Sequence, residues 1–241
     1  MVNNNLQLHN LNICNWNANG IKAKRSTFIA FLAQHHIDIA CVTETHLVST
    51  EKFTIPGYAV YRFDRDAPKA SGGVAIIIKR KISHHSIYLP YMNNLEVVGI
   101  KFVLNSQDIT LFSAYHTPRH KFFKTYIDNL FIPNTPTILL GDLNCKHVAW
   151  GCNKNNPNGK RLLSALNEYN LSISAPEEPT HYPTNLNCTP DILDIGIFQH
   201  FPLPSQVNAL VELDSDHLPV LLTYSCHIST LNKRPSGLGT V

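Results

Sequence analysis

Five short segments of this 241-residue sequence end an apolar run with polar side chains of the kinds that bind metal ions and move protons. They span residues 15–20, 43–46, 113–118, 141–144 and 215–219. Carboxylates such as Glu44 and Asp142 are ligands that a hard cation such as Mg²⁺ prefers, and an imidazole such as His217 changes its charge near neutral pH. A lone Asp-x-Asn is usually a turn, but the five segments together predict one cleft with metal and acid–base chemistry.

Asp142 and Asn144 follow an apolar run and stand two residues apart. On an extended segment, both side chains would point to one side of the chain. Asp142 then suits orienting or deprotonating a water, and Asn144 suits holding a phosphate or the nucleophile. Gly141 leaves room for a substrate to approach closely. We expect Glu44, at the end of a strand, to be the first carboxylate ligand of a divalent cation.

The elements that position these residues are predicted from short apolar runs closed by turn residues. Strands are predicted at 11–16, 37–42, 57–63, 72–78, 96–104, 109–115, 137–140, 192–198, 206–211 and 218–224. Helices are predicted at 22–36, 121–130 and 158–170. Many strands with few helices predict a two-sheet α/β sandwich rather than a doubly wound parallel sheet. The polar residues of interest then lie at strand ends, where side chains of several strands share a cleft.

Composition excludes several classes of protein. A hydrophobic content of 44% with only 15% charged residues excludes an intrinsically disordered chain. No apolar run has the roughly 18 residues of a membrane span, and the first residues lack the pattern of a signal peptide, so no membrane association is expected. The six cysteines are scattered without paired spacing, which indicates free thiols in a reducing compartment.

Charge is divided unevenly along the chain. Residues 1–124 carry 14 basic and 7 acidic side chains, a balance of +7, whereas residues 125–241 carry 6 and 10, a balance of −4. A basic face toward an anionic polymer beside acidic metal ligands would give this pattern, and so would solvated faces of mixed sign. We expect a single domain at 8–225, a flexible start at 1–7, and a flexible tail or the start of a linker at 226–241.

Further short motifs accompany the five polar segments. They lie at 17–20, 37–39, 44–47, 72–75, 141–147, 150–151, 179–183 and 193–195. In this order they resemble the exonuclease–endonuclease–phosphatase superfamily over roughly residues 8–225. Within it, the sequence is most similar to the endonuclease domains of LINE-type (non-LTR) retrotransposons, of the jockey-like kind in the branch akin to apurinic endonucleases. The resemblance implies the deoxyribonuclease-like sandwich fold.

The resemblance also implies a role for each polar residue of the cleft. Catalytic roles are implied for Asn17, Tyr115, Asp142, Asn144, Asp194 and His217. Metal ligation is implied for Glu44, Asn19 and Asp216, with Mg²⁺ as the ion, Mn²⁺ as a substitute and no small-molecule cofactor. Asn19 stands where many members have Asp, and a neutral amide binds a cation less strongly, so Asn19 is a secondary ligand. Asn17 would hold Asp142 or the phosphate in place.

The family pattern has His217 contact the phosphate through one ring nitrogen while a carboxylate holds the other. Asp194 is the first candidate for that carboxylate, and Asp191 is a rival that the sequence does not exclude. A neighbouring carboxylate favours the imidazolium, so His217 suits an electrostatic clamp as well as a base. The hydroxyl of Tyr115 is expected to steady the phosphate or the leaving oxygen.

DNA-binding residues are expected around the cleft. The candidates are Lys22, Lys24, Arg25, Arg119, Lys121, His181 and Tyr182. The basic ones follow the polar turn at 17–20 or Tyr115 closely, and contacts to phosphates give salt-sensitive affinity without sequence information. Loops such as 182–188 and 207–214 are expected to select the site that is cut.

The resemblance implies a Mg²⁺-dependent endonuclease that nicks one strand of double-stranded DNA and leaves a 3′-hydroxyl. In a retrotransposon, that hydroxyl primes reverse transcription by a reverse transcriptase domain of the same polyprotein, on chromosomal DNA in the nucleus. The alternatives are an apurinic/apyrimidinic repair endonuclease and a phosphodiesterase or phosphatase that acts on another substrate. A repair endonuclease would have an aromatic pocket for a flipped sugar near residues 180–183. The sequence has His-Tyr-Pro at 181–183 instead, which weakens the first alternative. Residues 138–140 and 189–192 lack the inositol phosphatase pattern, which weakens the second.

Overall fold

A computed structural model of the chain describes residues 9–67, 69–185 and 187–226, and for His9 and Cys226 it describes the backbone alone. The flexible start expected at 1–7 lies outside the described residues. So does the tail expected at 226–241, apart from the backbone of Cys226. Among the described residues, no helix combines the length and the apolar character that crossing a membrane requires.

Strands dominate the described part of the chain. In chain order they are β1 (His9–Asn17), β2 (Ile39–Thr43), β3 (Tyr58–Phe63), β4 (Val74–Lys79), β5 (His84–Ser86), β6 (Leu95–Leu104), β7 (Gln107–His116), β8 (Thr137–Asp142), β9 (Ser172–Ser174), β10 (Asp194–Gln199), β11 (Gln206–Ala209) and β12 (Val220–Cys226). The helices are α1 (Arg25–Gln34), α2 (Lys124–Leu130) and α3 (Pro157–Tyr169), with a short 3₁₀ helix at Val148–Trp150.

The strands form two mixed sheets of six strands each. The spatial order is β11-β12-β1-β2-β4-β3 in the first sheet and β5-β6-β7-β8-β10-β9 in the second. Each sheet holds one parallel pair, β1 with β2 and β7 with β8, and antiparallel pairs otherwise. The predicted two-sheet α/β sandwich is confirmed.

The central strands are apolar on both faces, because each face packs against another layer. On β2, Ile39 and Cys41 join the core between the two sheets, whereas Ala40 and Val42 join the core beneath α1. On β8, Ile138 faces the core between the sheets and Leu139 faces the core beneath α2 and α3. Burial on both faces explains why these strands read as continuous apolar runs without alternation.

Most element boundaries match the sequence-based prediction within a few residues, and two short strands were not predicted. β5 and β9 have three residues each and carry little apolar pattern. Helix α1 begins at Arg25, so Lys22 and Lys24 precede the helix instead of forming its first turn. Helix α3 begins after Asn156, whose side chain accepts a hydrogen bond from the Gly159 backbone N–H over 2.6 Å.

Gly141 serves strand packing, so the expectation that it leaves room for a substrate is wrong. In the parallel register of β7 and β8, Gly141 lies beside Ala114. A Cβ atom at Gly141 would stand 1.8 Å from the carbonyl oxygen of Ala114, which is backbone and cannot swing aside. Glycine at this position therefore permits the two strands to approach each other.

We expect Gly141→Ala to lower the free energy of unfolding by about 3 kcal/mol, because the two strands must separate to admit the methyl group. Gly57→Ala is the matched control: Gly57 has φ +79° with no neighbouring atom within 4 Å, so only backbone strain of about 1 kcal/mol is expected. Chemical denaturation of both variants measures the difference. Equal losses would mean that the strands accommodate the methyl group and that close packing against Ala114 does not require glycine at position 141.

Candidate active site

The polar segments meet at one edge of the sandwich. Asn17 ends β1 and Glu44 follows β2 directly, while Tyr115 lies near the end of β7 and Asp142 ends β8. Because both strand pairs are parallel, the carboxyl ends of the two strands in each pair lie at the same edge. A hydrogen bond of 3.0 Å from Nδ2 of Asn17 to Oδ2 of Asp142 joins the two sheets there. The structure thus brings these residues into one cleft.

One amide, that of Asn17, holds two carboxylates. Its Nδ2 donates to Oε1 of Glu44 over 2.9 Å as well as to Oδ2 of Asp142. Asn17 and Asp142 are buried, and Glu44 is half-buried. The backbone of Glu44 is left-handed, with φ 47°, and its carbonyl oxygen accepts a 2.8 Å hydrogen bond from the N–H of Gly20. Glu44 is therefore fixed through both its backbone and its side chain.

Asp142 occupies an acidic and buried position. Burial raises the pKa of its carboxyl group to about 7, with Asp194 and Glu44 adding to the effect and His217 and Asn17 opposing it. Its Oδ2 lies 3.8 Å from Nε2 of His217. A carboxyl group with a raised pKa is suited to exchange a proton with a water near neutral pH.

Asn144 does not continue strand β8. Its backbone is left-handed, with φ 49°, and its N–H donates to Oδ1 of Asp142 over 3.1 Å. Its Nδ2 donates to the carbonyl oxygen of His116 over 3.0 Å. The expectation that an extended segment points both side chains to one side is therefore wrong. A turn closed by the Asp142 carboxylate positions Asn144 instead.

The partner of His217 is Asp194. Nδ1 of His217 lies 2.7 Å from Oδ2 of Asp194, and both side chains are buried. Asp191, the rival, pairs instead with Nζ of Lys146 at 3.2 Å and accepts a hydrogen bond from the backbone N–H of Asn153. The choice that the sequence left open is decided by this geometry in favour of Asp194.

The carboxylates around His217 determine its charge. Burial alone would lower the pKa of the imidazole, but Asp194, Asp142 and Asp216 outweigh burial and raise that pKa to about 9. These carboxylates therefore favour the imidazolium form of His217. This charge favours the clamp role over the base role, because an imidazolium has no lone pair with which to accept a proton.

Asp216 lies between two polar side chains. Its Oδ1 accepts a hydrogen bond of 3.2 Å from Nδ2 of Asn19, and its Oδ2 lies 3.7 Å from Nε2 of His181. The imidazole of His181 holds the pKa of Asp216 well below its usual range. The N–H of Asn19 donates to Oδ1 of Asn17 over 3.1 Å, so polar contacts run from Asp216 through the two asparagines to Glu44.

The donor atoms of the cleft fit a hard divalent cation. Glu44 carries a half-exposed carboxylate, and Oδ1 of Asp194 is buried with no hydrogen-bond partner in the part of the chain described. In that same part, one group of three His, Cys, Asp or Glu residues could share an ion, formed by His181, Asp216 and His217. Glu44 is outside this group. An ion at Glu44 would keep several waters, as Mg²⁺ prefers to do.

Tyr115 is tied to Arg65 and Glu96, two residues that the sequence did not mark as part of the site. The guanidinium of Arg65 lies 5.8 Å from the centre of the Tyr115 ring and forms an ion pair with Glu96, which is opposite Tyr115 in the β6–β7 register. Oε2 of Glu96 also accepts a 2.7 Å hydrogen bond from the N–H of Gly73. Burial, together with Glu44, raises the pKa of Tyr115, so its hydroxyl stays protonated. In the sequence, Glu96 stood out only as a charged residue at the start of an apolar strand.

The three cations near residue 20 are engaged by the protein itself. Lys24 donates to the carbonyl oxygens of Ala18 and Asn19 and covers the Trp16 ring at 5.8 Å, and burial lowers its pKa. Nε of Arg25 donates to the carbonyl oxygen of Thr54 over 2.9 Å. The structure therefore gives both cations a structural role. Lys22 is exposed and pairs with Glu51.

The other predicted DNA contacts divide into two groups. Arg119 and Lys121 are exposed on the segment after Tyr115. Tyr182 is 44% exposed. His181, by contrast, lies within the cleft, where its ring packs against that of His217 with centroids 4.5 Å apart.

Comparisons with known sequences give relatives of one kind. Residues 109–221 match a family model described as endonuclease-reverse transcriptase. The chain is 30% identical over 220 residues to the RNA-directed DNA polymerase from mobile element jockey of Drosophila melanogaster, covering 90% of this chain and 24% of that protein. The resemblance to jockey-like elements is confirmed. The chain spans about a quarter of the length of the curated relatives that it matches.

Solved structures share the fold. The endonuclease domain of TRAS1, a telomere-specific non-LTR retrotransposon, superposes with a TM-score of 0.73 at 18% identity, covering 89% of this chain and 98% of that one. The AP endonuclease LMAP from Leishmania major gives a TM-score of 0.72 at 15% identity, covering 90% of this chain and 88% of that one. The chain therefore shares the two-sheet sandwich fold of these endonuclease structures.

Proposed function

We propose that this jockey-like domain is a Mg²⁺-dependent endonuclease that nicks one strand of double-stranded DNA and leaves a 3′-hydroxyl and a 5′-phosphate. The observation that carries the proposal is the contact set at the edge of the sandwich. Asn17 holds Glu44 and Asp142 together, and Asp142 lies 3.8 Å from His217, which Asp194 holds from behind. Metal-assisted phosphodiester hydrolysis uses a carboxylate ligand for the ion, a proton acceptor for the water and a cationic group at the phosphate, and this set supplies all three.

Each residue of the set has a separate task in this proposal. Glu44 would be the protein ligand of Mg²⁺ or its substitute Mn²⁺, with Asn19 and Asp216 completing the ligand set, and the ion would neutralise charge on the phosphate. Asp142 accepts the proton of the attacking water, and Asn144 holds the phosphate or that water. His217 contacts a phosphate oxygen as an imidazolium. The protonated hydroxyl of Tyr115 donates to the phosphate or the leaving oxygen.

The relatives support a proposal about the partners. Those relatives are named RNA-directed DNA polymerases, and this chain matches about a quarter of their length. We therefore propose that a reverse transcriptase domain in the same polyprotein extends the 3′-hydroxyl made here. Such priming uses chromosomal DNA, which makes the nucleus the proposed place of action.

The proposed product is tested with a DNA polymerase that needs a 3′-hydroxyl. Supercoiled plasmid is incubated with the protein and Mg²⁺, and the open circles are then offered labelled nucleotides. Incorporation at the nicks, without any end treatment, is the expected result. Nicks that incorporate label only after phosphatase treatment would mean a 3′-phosphate product and would contradict the proposal. A parallel reaction on a duplex with one abasic site distinguishes a repair endonuclease, which would cut that duplex alone.

Arg119 and Lys121 are proposed to contact DNA phosphates beside Tyr115. We expect the double substitution of both residues by Ala to reduce the slope of log affinity against log salt by about 1.8, because each lost phosphate contact removes about 0.9. Lys81 is the matched control. Strand β4 begins beside the cleft at Val74 and ends at Lys79, and Lys81 is exposed just after that far end, so Lys81→Ala should leave the slope unchanged. Fluorescence anisotropy on a short duplex measures both slopes, and equal slopes would place the DNA elsewhere.

A further inference from the structure

Three side chains at the Asp216 end of the cleft form a group that differs chemically from the Glu44 end. One nitrogen from each of His181 and His217 and one oxygen of Asp216 lie within 4.8 Å of one another. Two of the three ligand atoms are imidazole nitrogens, whereas the Glu44 end offers carboxylate and amide oxygens, and the imidazole of His46 there is paired with Oε2 of Glu44 at 3.3 Å. Imidazole suits Zn²⁺ and related transition metals, while Mg²⁺ prefers oxygen.

The spacings in this group fit a shared ion better than direct hydrogen bonds. Nε2 of His181 is 3.7 Å from Oδ2 of Asp216, and one nitrogen of His217 completes a set of three ligand atoms that lie within 4.8 Å of one another. The distance between His181 and Asp216 exceeds the length of a hydrogen bond. Two ligands at about 2.1 Å from a tetrahedral ion stand about 3.4 Å apart, which is close to the separation of His181 and Asp216.

The groups behind these ligands hold them in place. Nδ1 of His217 is bound by Asp194 at 2.7 Å, which leaves Nε2 as the nitrogen directed away from that carboxylate. Metal-binding histidines usually have such a carboxylate behind them. The backbone of His181 exchanges hydrogen bonds with Asp191, of 3.0 and 3.1 Å, and its Nδ1 is buried without a partner among the described residues. The N–H of Tyr182 donates to the carbonyl oxygen of Asp216 over 2.8 Å.

We propose that His181, Asp216 and His217 form a binding site for a transition-metal ion such as Zn²⁺ or Co²⁺, which shares Asp216 with the proposed Mg²⁺ ligand set but does not include Glu44. The three side chains supply three ligands, and a water completes a tetrahedral set. An ion bound here displaces the Nε2 proton of His217 and occupies that nitrogen, which can then no longer contact a phosphate. On the proposed function of the domain, Zn²⁺ therefore inhibits nicking even when Mg²⁺ is in excess.

The binding site is tested first without any measurement of activity. Co²⁺ is added to the full chain, purified without a histidine tag and carrying Cys188→Ser, because Cys188 is an exposed thiol that also binds metals. We expect a saturable visible absorption of tetrahedral Co²⁺ at one equivalent. His181→Gln should weaken this binding tenfold or more, and Glu44→Gln should leave it unchanged.

Two results would overturn the proposed site. One is the absence of saturable tetrahedral absorption in the Cys188→Ser protein, and the other is equal Co²⁺ affinity with and without His181. Should His181→Gln fail to fold by circular dichroism, the ring resonances of His181 and His217 in the Cys188→Ser protein are followed by NMR during addition of Zn²⁺. Both rings must then shift together, and unmoved rings overturn the proposal.

Inhibition is measured separately on supercoiled plasmid at saturating Mg²⁺. Zn²⁺ should suppress nicking over the same concentration range in which it displaces Co²⁺ from the site. A protein that binds Co²⁺ as expected but never nicks DNA would refute the proposed function and leave the metal site standing. A protein that nicks DNA equally well with the site filled by Zn²⁺ would refute the inhibitory role.

Discussion

Glu44→Gln is expected to reduce Mg²⁺-dependent nicking about a thousandfold, with the protein folded and still bound to DNA. The substitution keeps the size of the side chain and its ability to accept the 2.9 Å hydrogen bond from Asn17, so the cleft keeps its shape. It removes the negative charge that would hold a divalent cation. Rates of plasmid nicking measure catalysis, and fluorescence anisotropy on a duplex measures DNA affinity. Together they separate a loss of catalysis from a loss of affinity.

Glu168→Gln is the matched control for that experiment. Glu168 is exposed on α3 and pairs with Lys124, away from the cleft. Its loss should change the nicking rate less than twofold, because exposed ion pairs contribute little. Nicking by Glu44→Gln within tenfold of the unaltered protein would show that Glu44 is not the metal ligand.

Asp194→Asn is expected to lower the nicking rate by about a thousandfold or more. The carboxylate both fixes the orientation of the His217 ring and stabilises its positive charge. A neutral amide stabilises that charge poorly. Asp194 does this through His217, so it is a positioning residue and its loss should leave duplex binding largely intact. The hydrogen-bonded Nδ1 proton of His217, observed by NMR, should lose its downfield signal in this variant.

Asp191→Asn tests whether Asp191, and not Asp194, is the partner of His217. Asp191 lies three residues from Asp194 but binds Lys146 and the N–H of Asn153 instead of His217. We expect less than a tenfold effect on nicking and an unchanged Nδ1 proton signal. A larger loss of nicking in Asp191→Asn than in Asp194→Asn would mean that Asp191 is the partner of His217 when DNA is bound.

The sequence predicted the sandwich and the edge at which its polar residues meet, because apolar runs that stop at Asn17, Glu44 and Asp142 mark the ends of buried strands. It did not predict what happens beyond a strand end. Asn144 follows a turn closed by a side-chain hydrogen bond, which a two-residue alternation cannot show. The role of Gly141 depends on the register of β7 against β8, a contact between distant parts of the chain.

Residues that act across the fold were the hardest to predict. Arg65 and Glu96 lie 31 residues apart, and neither belongs to a local motif, yet both support Tyr115. The place of His181 against His217 depends on backbone hydrogen bonds that connect the segment at 180–182 with Asp191 and with residues 216–218. Lys24 and Arg25 were expected to face DNA. The sequence cannot show that backbone carbonyl oxygens already accept hydrogen bonds from both side chains.

The central claim is that this domain cuts DNA in a metal-dependent reaction, and the conversion of supercoiled plasmid to open circles tests it most directly. Open circles are expected with purified protein and Mg²⁺, none with EDTA, and full recovery when Mg²⁺ is restored in excess. Glu44→Gln, purified in parallel, should leave the plasmid supercoiled, which excludes a contaminating nuclease. Plasmid that stays supercoiled with Mg²⁺, or that is nicked equally in EDTA, would contradict the account.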